Sequence, residues 1–315
     1  MKVITFCNTP KYLLLLLALF VISAGGAPAL AASASAQKYY PSPEEAVKSL
    51  VAAVRNNDNK GLGAILGSGS REIVTSGDPV ADKSGRERFV KLYDEKNAIE
   101  GADTGRAVLS IGNEDYPFPI PVVKKGKSWR FDARAGKEEI LNRRIGRNEL
   151  EVIDVLRAYV DAQREYAAED HDRNGVMEFA QKIRSTPGKQ DGLYWEAKEG
   201  EKESPFGPLA AKADREGYAK SKNGGPSPFH GYLFRILKAQ GKSVDGGAFD
   251  YVVHGRMILG FAMVAYPAQY GASGIMTFVV NQNGTVYQKD LGKSTGKTAA
   301  AMKLYNPDSA WKKVE

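Results

Sequence analysis

Cysteine is almost missing from this chain of 315 residues: Cys7 is the only one. It lies ahead of the longest apolar run, in a segment that reads as removable. Disulfides, thiol chemistry and cysteine-ligated zinc are thereby excluded for everything that follows. Histidine is scarce too, with three in all, and none has the helical i, i+4 partner of a zinc site. Redox and transition-metal chemistry are disfavoured. No G-x-S-x-G nucleophile elbow occurs, and Gly67-Ser68-Gly69-Ser70 reads as a turn after a helix. The run from Gly292 to Thr298 places three residues between its glycines, one short of a P-loop, and follows an antiparallel strand.

Charge of one sign is not concentrated either. The formal net charge is +7, from 44 Lys+Arg against 37 Asp+Glu, with no clustered basic stripe and no aromatic-flanked basic motif. Nucleic acid is not an expected partner. After the N-terminal segment no stretch is apolar enough to span a membrane.

What is present begins with an address. Lys2 and Lys11 make a basic start, Tyr12 to Ala24 is apolar, and Gly25 to Ala36 is rich in small residues. Ala29-Leu30-Ala31, Ala32-Ser33-Ala34 and Ala34-Ser35-Ala36 each offer an A-x-A cleavage site. Residues 1–36 therefore read as a secretory signal peptide, since the apolar run falls short of the ~20 residues of a bilayer span. Its removal takes away Lys2 and Lys11, so +7 becomes +5. Export without disulfides suits a bacterial protein, periplasmic or secreted.

The remainder reads as α+β in two parts. Ser42 as N-cap, Pro43 at the first position and Glu45 as capping-box partner open a helix with Val47, Leu50, Val51 and Val54 on one face. Helices near 61–66 and 84–96 follow, then strands at 106–112, 119–124 and 128–132. Residues 38–135 thus form a small helix-plus-antiparallel-sheet domain in the style of NTF2-like or cystatin-like scaffolds. Residues 136–147 read as a connecting helix stopped at Gly146, and Asn148 with Glu151 reads as the capped start of the longest helix. The second domain, 148–295, places that helix on an antiparallel sheet with strands at 231–238, 249–253, 261–266, 275–281 and 285–290. Asn283-Gly284 marks a hairpin. Residues 187–228 read as a long surface loop and 296–315 as a C-terminal helix or tail.

Several phrases are specific: Phe118-Pro119-Ile120-Pro121, the run from Glu139 to Asn148, Ser185 to Lys189, Asp191 to Trp195, and Tyr287 to Gly292. Together they resemble a family of secreted bacterial proteins catalogued as domain of unknown function 2950. The resemblance covers nearly the whole chain after residue 36 and assigns no catalytic residues. The second half is also similar to the globular heads of type II pseudopilins, through its long helix, Asp-rich loop, Gly231 to Ile236 and the Asn-Gly hairpin. It lacks their hydrophobic half-helix joined to the head.

Candidate chemistry is sparse. Asp170, Asp172, Asn174 and Gly175 follow the first half of an EF-hand loop, with Val176 offering a carbonyl and Glu178 at the ninth position. The twelfth is Gln181 in place of a bidentate Glu, so Ca²⁺ affinity is expected at about 10⁻⁴ to 10⁻³ M. The other reading is a helix C-terminus followed by an Asx turn. His230 and His254 stand at strand ends, where they meet if their strands pair, with Asp250 as a nearby carboxylate. Tyr116, Phe118, Trp129 and Phe131 form one aromatic group; Tyr194, Trp195, Phe229 and Tyr232 form another. Aromatics alternating in strands read as core. Tyr194 and Trp195 fall in the loop and read as a ligand or partner contact. The expected role is a non-enzymatic binding or assembly component of the envelope, meeting another envelope protein or a small ligand. The alternative is an envelope hydrolase using His230 or His254. A third reading is small-ligand storage in the first domain, in an apolar cavity beside Trp129.

Overall fold

Ser42 opens the first helix as its chemistry requires, its Oγ accepting the Glu45 N–H at 3.2 Å. The computed structural model describes residues 37–197, 200–218 and 227–314, so the expected signal peptide lies outside the described residues. Helix α1 (Pro43–Arg55) buries Val47, Leu50, Val51 and Val54. Next come α2 (Asn59–Leu66), capped by Asp58 on the Gly61 N–H at 2.8 Å, the single turn α3 (Arg71–Val74) and α4 (Pro79–Glu95). The strands β1 (Asn97–Glu100), β2 (Arg106–Ile111), β3 (Tyr116–Pro117), β4 (Val122–Lys125) and β5 (Ser128–Phe131) form one antiparallel sheet, ordered β1-β2-β4-β5 with β3 on β2. Leu109, Ile111, Ile120, Val122 and Phe131 from this region pack with the apolar faces of α1 and α2 into one core.

Helix α4 is the odd member. None of its 17 residues is buried, although Phe89, Val90, Leu92 and Tyr93 lie partly against that core. An amphipathic helix ordinarily buries its apolar stripe. Here the stripe faces an opening instead.

Helix α5 (Ala133–Tyr166) corrects the expected break. It runs unbroken for 34 residues, through both Gly146 and Asn148. A helical glycine costs only about 1 kcal/mol relative to alanine, and packing on either side of Gly146 overrides the local stop signal. Ala133 and Ile140 belong to the first core; Val152, Leu156, Tyr159, Val160 and Tyr166 belong to a second. Asn148 is no cap: its Nδ2 donates to the Ser273 carbonyl at 2.9 Å. Glu151 pairs with Lys212 at 2.7 Å instead of closing a capping box.

The expected long loop also holds structure. Leu193 is fully buried, Phe206 nearly so, and α6 (Gly207–Arg215) follows. These anchors are spaced too irregularly to produce a period. The remaining elements are β6 (Tyr232–Leu237), β7 (Ala239–Gln240), β8 (Phe249–Asp250), β9 (Val252–Val253), β10 (Arg256–Met257), β11 (Ala262–Pro267), β12 (Met276–Asn281), β13 (Tyr287–Asp290), α7 (Thr295–Ala301), β14 (Leu304–Tyr305) and β15 (Lys312–Lys313). The main sheet is antiparallel, ordered β15-β13-β12-β11-β6. All six residues of β11 are buried and the strand touches both α5 and α7, as expected of a strand covered on two faces. Gly284 takes φ +77° in the Asn-Gly turn between β12 and β13. Among the described residues no helix is long and apolar enough to cross a membrane.

Candidate functional site

A cavity of about 510 Å³ lies beneath α4. Leu50, Val54, Leu62 and Leu66 from α1 and α2 line it below, with Ile111, Phe118 and Ile120 from the sheet region. Ala81, Gly85, Phe89 and Leu92 face it from α4 at helical spacing. No side chain stands at Gly85, where an added Cβ would meet nothing within 4 Å. This is an apolar chamber of the size usual for small-molecule sites, roughly 300 to 1,000 Å³.

Its rim is basic. Arg86 and Arg88 come from α4, and Arg143, Arg144 and Arg147 from α5. Arg86 donates to Asn59 Oδ1 and to the Val74 carbonyl, both at 2.7 Å. Arg144 donates to the carbonyls of Glu72 and Ile73, each at 2.6 Å, and burial depresses its pKa. Arg143 pairs with Glu139 and lies 4.6 Å over the Tyr116 ring. Arg88 and Arg147 have no hydrogen bond or ion pair among the described residues. Loss of surrounding water and then the like charge of Arg88 hold Arg147 below the ordinary arginine range.

One corner of the mouth ties the two cores together. Asp78, the N-cap of α4, is fully buried. Its Oδ1 accepts from the Val80 and Ala81 N–H groups at 3.1 Å. Its Oδ2 accepts from Tyr218 OH at 2.9 Å and from the Gly231 N–H at 2.8 Å. Burial and then the charge of Asp78 push the Tyr218 phenol far up. His230 sits beside it at φ +48°, its Nε2 3.2 Å from Glu216 and 3.7 Å from Glu151. Burial outweighs both carboxylates and holds the imidazole below the ordinary histidine range. Lys212 bonds Glu151 and keeps that carboxyl low.

Of the candidate site and aromatic residues singled out from sequence, His230, Tyr116 and Phe118 border the cavity, and the others fall elsewhere. His254 turns the β9–β10 hairpin at φ +48°, whereas β6, which follows His230, pairs with β11. The strands beside the two histidines therefore do not pair. Asp250 is exposed on β8, in a separate small sheet. In the Asp-rich loop, Asp170 accepts the Asn174 and Gly175 N–H groups at 3.1 and 2.8 Å. Asn174 Oδ1 accepts the Val176 N–H at 2.9 Å, and its Nδ2 reaches Glu178 at 3.4 Å. Gln181 bonds the Gly255 carbonyl and Lys238. Among the described residues no group of three or more His, Cys, Asp or Glu is placed to hold a metal ion. Tyr194 and Trp195 are half-buried against the second core. Tyr194 lies under Arg184 at 4.7 Å, and Trp195 meets the His171 ring at 5.5 Å. Their burial is what the loop reading missed.

Nor does the cavity lie beside Trp129. That ring is buried in the first core, its backbone paired with Tyr40. The arginines of the rim escaped notice because Arg86 and Arg88 stand about 60 positions from Arg143, Arg144 and Arg147 and only the fold unites them.

Fold and site together define an α+β protein with an apolar cavity under an arginine rim. The chain belongs to the family described as Protein of unknown function (DUF2950), whose model matches residues 37–314. No curated protein and no solved structure matches it. The likeness to pseudopilin heads drawn from the sequence is not shown by either comparison.

Proposed function

We propose that this is an exported, non-enzymatic binding component of the bacterial envelope, and that its ligand occupies the cavity under α4. One observation carries the reading: α4 turns an apolar stripe onto an open chamber and buries none of its own residues. A chamber of about 510 Å³ lined by buried and half-buried apolar side chains has the form usual for a small-molecule site. The test is titration of the purified protein with an apolar dye that fluoresces on burial. Saturable one-site binding is expected, lost in Gly85→Trp, which fills the chamber from a position with open space around it. Undiminished dye binding in a folded Gly85→Trp would place the site elsewhere.

A hydrolase is the second reading, favoured by His230 alone, because it borders the cavity beside Glu216. Ester turnover abolished by His230→Asn would support it. A weakly held Ca²⁺ at Asp170, Asp172, Asn174, Val176, Glu178 and Gln181 also belongs to the proposal. Asp170 already accepts one backbone N–H on each carboxylate oxygen, which leaves each oxygen one lone pair for an ion. Calorimetric titration is expected to give half-saturation between about 0.1 and 1 mM, abolished by Asp172→Ala. Saturation at micromolar Ca²⁺ would contradict that weak affinity.

A further inference from the structure

The floor of the cavity carries aliphatic and phenyl groups, with little to bond a sugar, a base or a peptide backbone. Its rim carries five arginines against three carboxylates, Asp82, Glu151 and Glu216. Each carboxylate already has a partner. Asp82 accepts the Ser76 N–H at 3.0 and 3.1 Å, while Glu151 and Glu216 share Lys212 at 2.7 and 4.0 Å. Three arginines are likewise engaged. Arg88 and Arg147 are left, both on the cavity rim; the like charge of Arg88 acts on Arg147 against the weaker pull of Glu151, and no anion of the protein is hydrogen-bonded to either among the described residues.

We propose that the cavity takes a single-chain amphiphile with a compact anionic head, its tail among Leu50, Leu62 and Phe89 and its head on Arg88 and Arg147. This rests on the reading of the cavity as the binding site. Two guanidiniums from facing helices suit a carboxylate or a phosphate, whose oxygens accept their paired N–H groups. An anion there also relieves the repulsion between like charges that the fold holds together. A cationic head would add to that repulsion. A neutral head gains neither effect.

The test is calorimetry on the purified protein with dodecanoate, dodecyl phosphate, dodecanol and dodecyltrimethylammonium, each below its aggregation threshold, beside the apolar dye. The two anions are expected to bind at least about tenfold tighter than dodecanol, and the cation not at all. The tighter of the two anions identifies the head. From octanoate to dodecanoate affinity should rise by about fourfold per methylene. Arg88→Ala and Arg147→Ala should each weaken dodecanoate about tenfold and leave dodecanol unchanged. Both sites are exposed, so unaltered melting of the unliganded variants verifies that they fold. Dodecanol matching dodecanoate, or arginine variants that bind dodecanoate normally, would overturn the anionic head while the cavity remains a site. Dye binding without any amphiphile would overturn the ligand class. Failure of dye and amphiphiles alike would remove the binding reading itself.

Discussion

Asp78→Ala is expected to lower the stability of the protein by about 3 to 5 kcal/mol, read as a fall in the urea midpoint with an unchanged slope. The carboxylate is fully buried and serves four donors: the N–H groups of Val80, Ala81 and Gly231 and the Tyr218 hydroxyl. Loss of a helix cap alone costs about 1 kcal/mol. The larger part comes from the stranded donors, each about 1 to 3 kcal/mol when buried without a partner. Water cannot easily replace the carboxylate at Gly231, which is itself buried. Nor can that loop retreat freely, because a Cβ on Gly231 would already lie 2.6 Å from Asn148 Nδ2. Asp78→Asn keeps one acceptor oxygen and should lose roughly half as much. A loss below about 1 kcal/mol in Asp78→Ala would show that the corner is not the clamp its hydrogen bonds describe.

The second large effect lies on α5, where two glycines respond to alanine with opposite sign. Gly136→Ala is expected to destabilise by about 2 to 3 kcal/mol and Gly146→Ala to stabilise by up to about 1 kcal/mol. A Cβ at Gly136 would stand 2.4 Å from the Pro119 carbonyl oxygen and 2.8 Å from the Ile120 nitrogen. Those are backbone atoms of the first core and cannot swing aside. At Gly146 the same Cβ meets nothing within 4 Å, so only the helix-propensity gain remains. Thermal unfolding of the pair decides it: equal shifts of either sign would mean that the helix adjusts its seat on the sheet.

The parts of this fold legible in the sequence are those decided locally. Ser42, Pro43 and Glu45 specify a helix start within four residues, and Asn283-Gly284 specifies a turn within two. Gly146 and Asn148 also carry local signals, and there the longer-range packing of Ile140 and Val152 on different cores prevails. The chamber is illegible for another reason. Phe89 and Leu92 have the spacing of core residues, and nothing in the spacing tells whether the space opposite is filled. His230 was visible as a strand-end histidine, but Tyr218, Glu151 and Asp78 gather around it from separate elements. Leu193 and Phe206 disguised an ordered segment as a loop because their burial follows no period.

One helix running through both cores has a mechanical consequence. Neither half of the protein can loosen without pulling on the stretch from Arg143 to Glu151, which leads from one core to the other and borders the chamber. A molecule gripped from α4 on one side and from this stretch on the other acts as a splint, joining two helices beside the passage from one core to the other. Occupancy of the chamber would then be felt as stiffness at both ends of the protein, far from any atom of the guest.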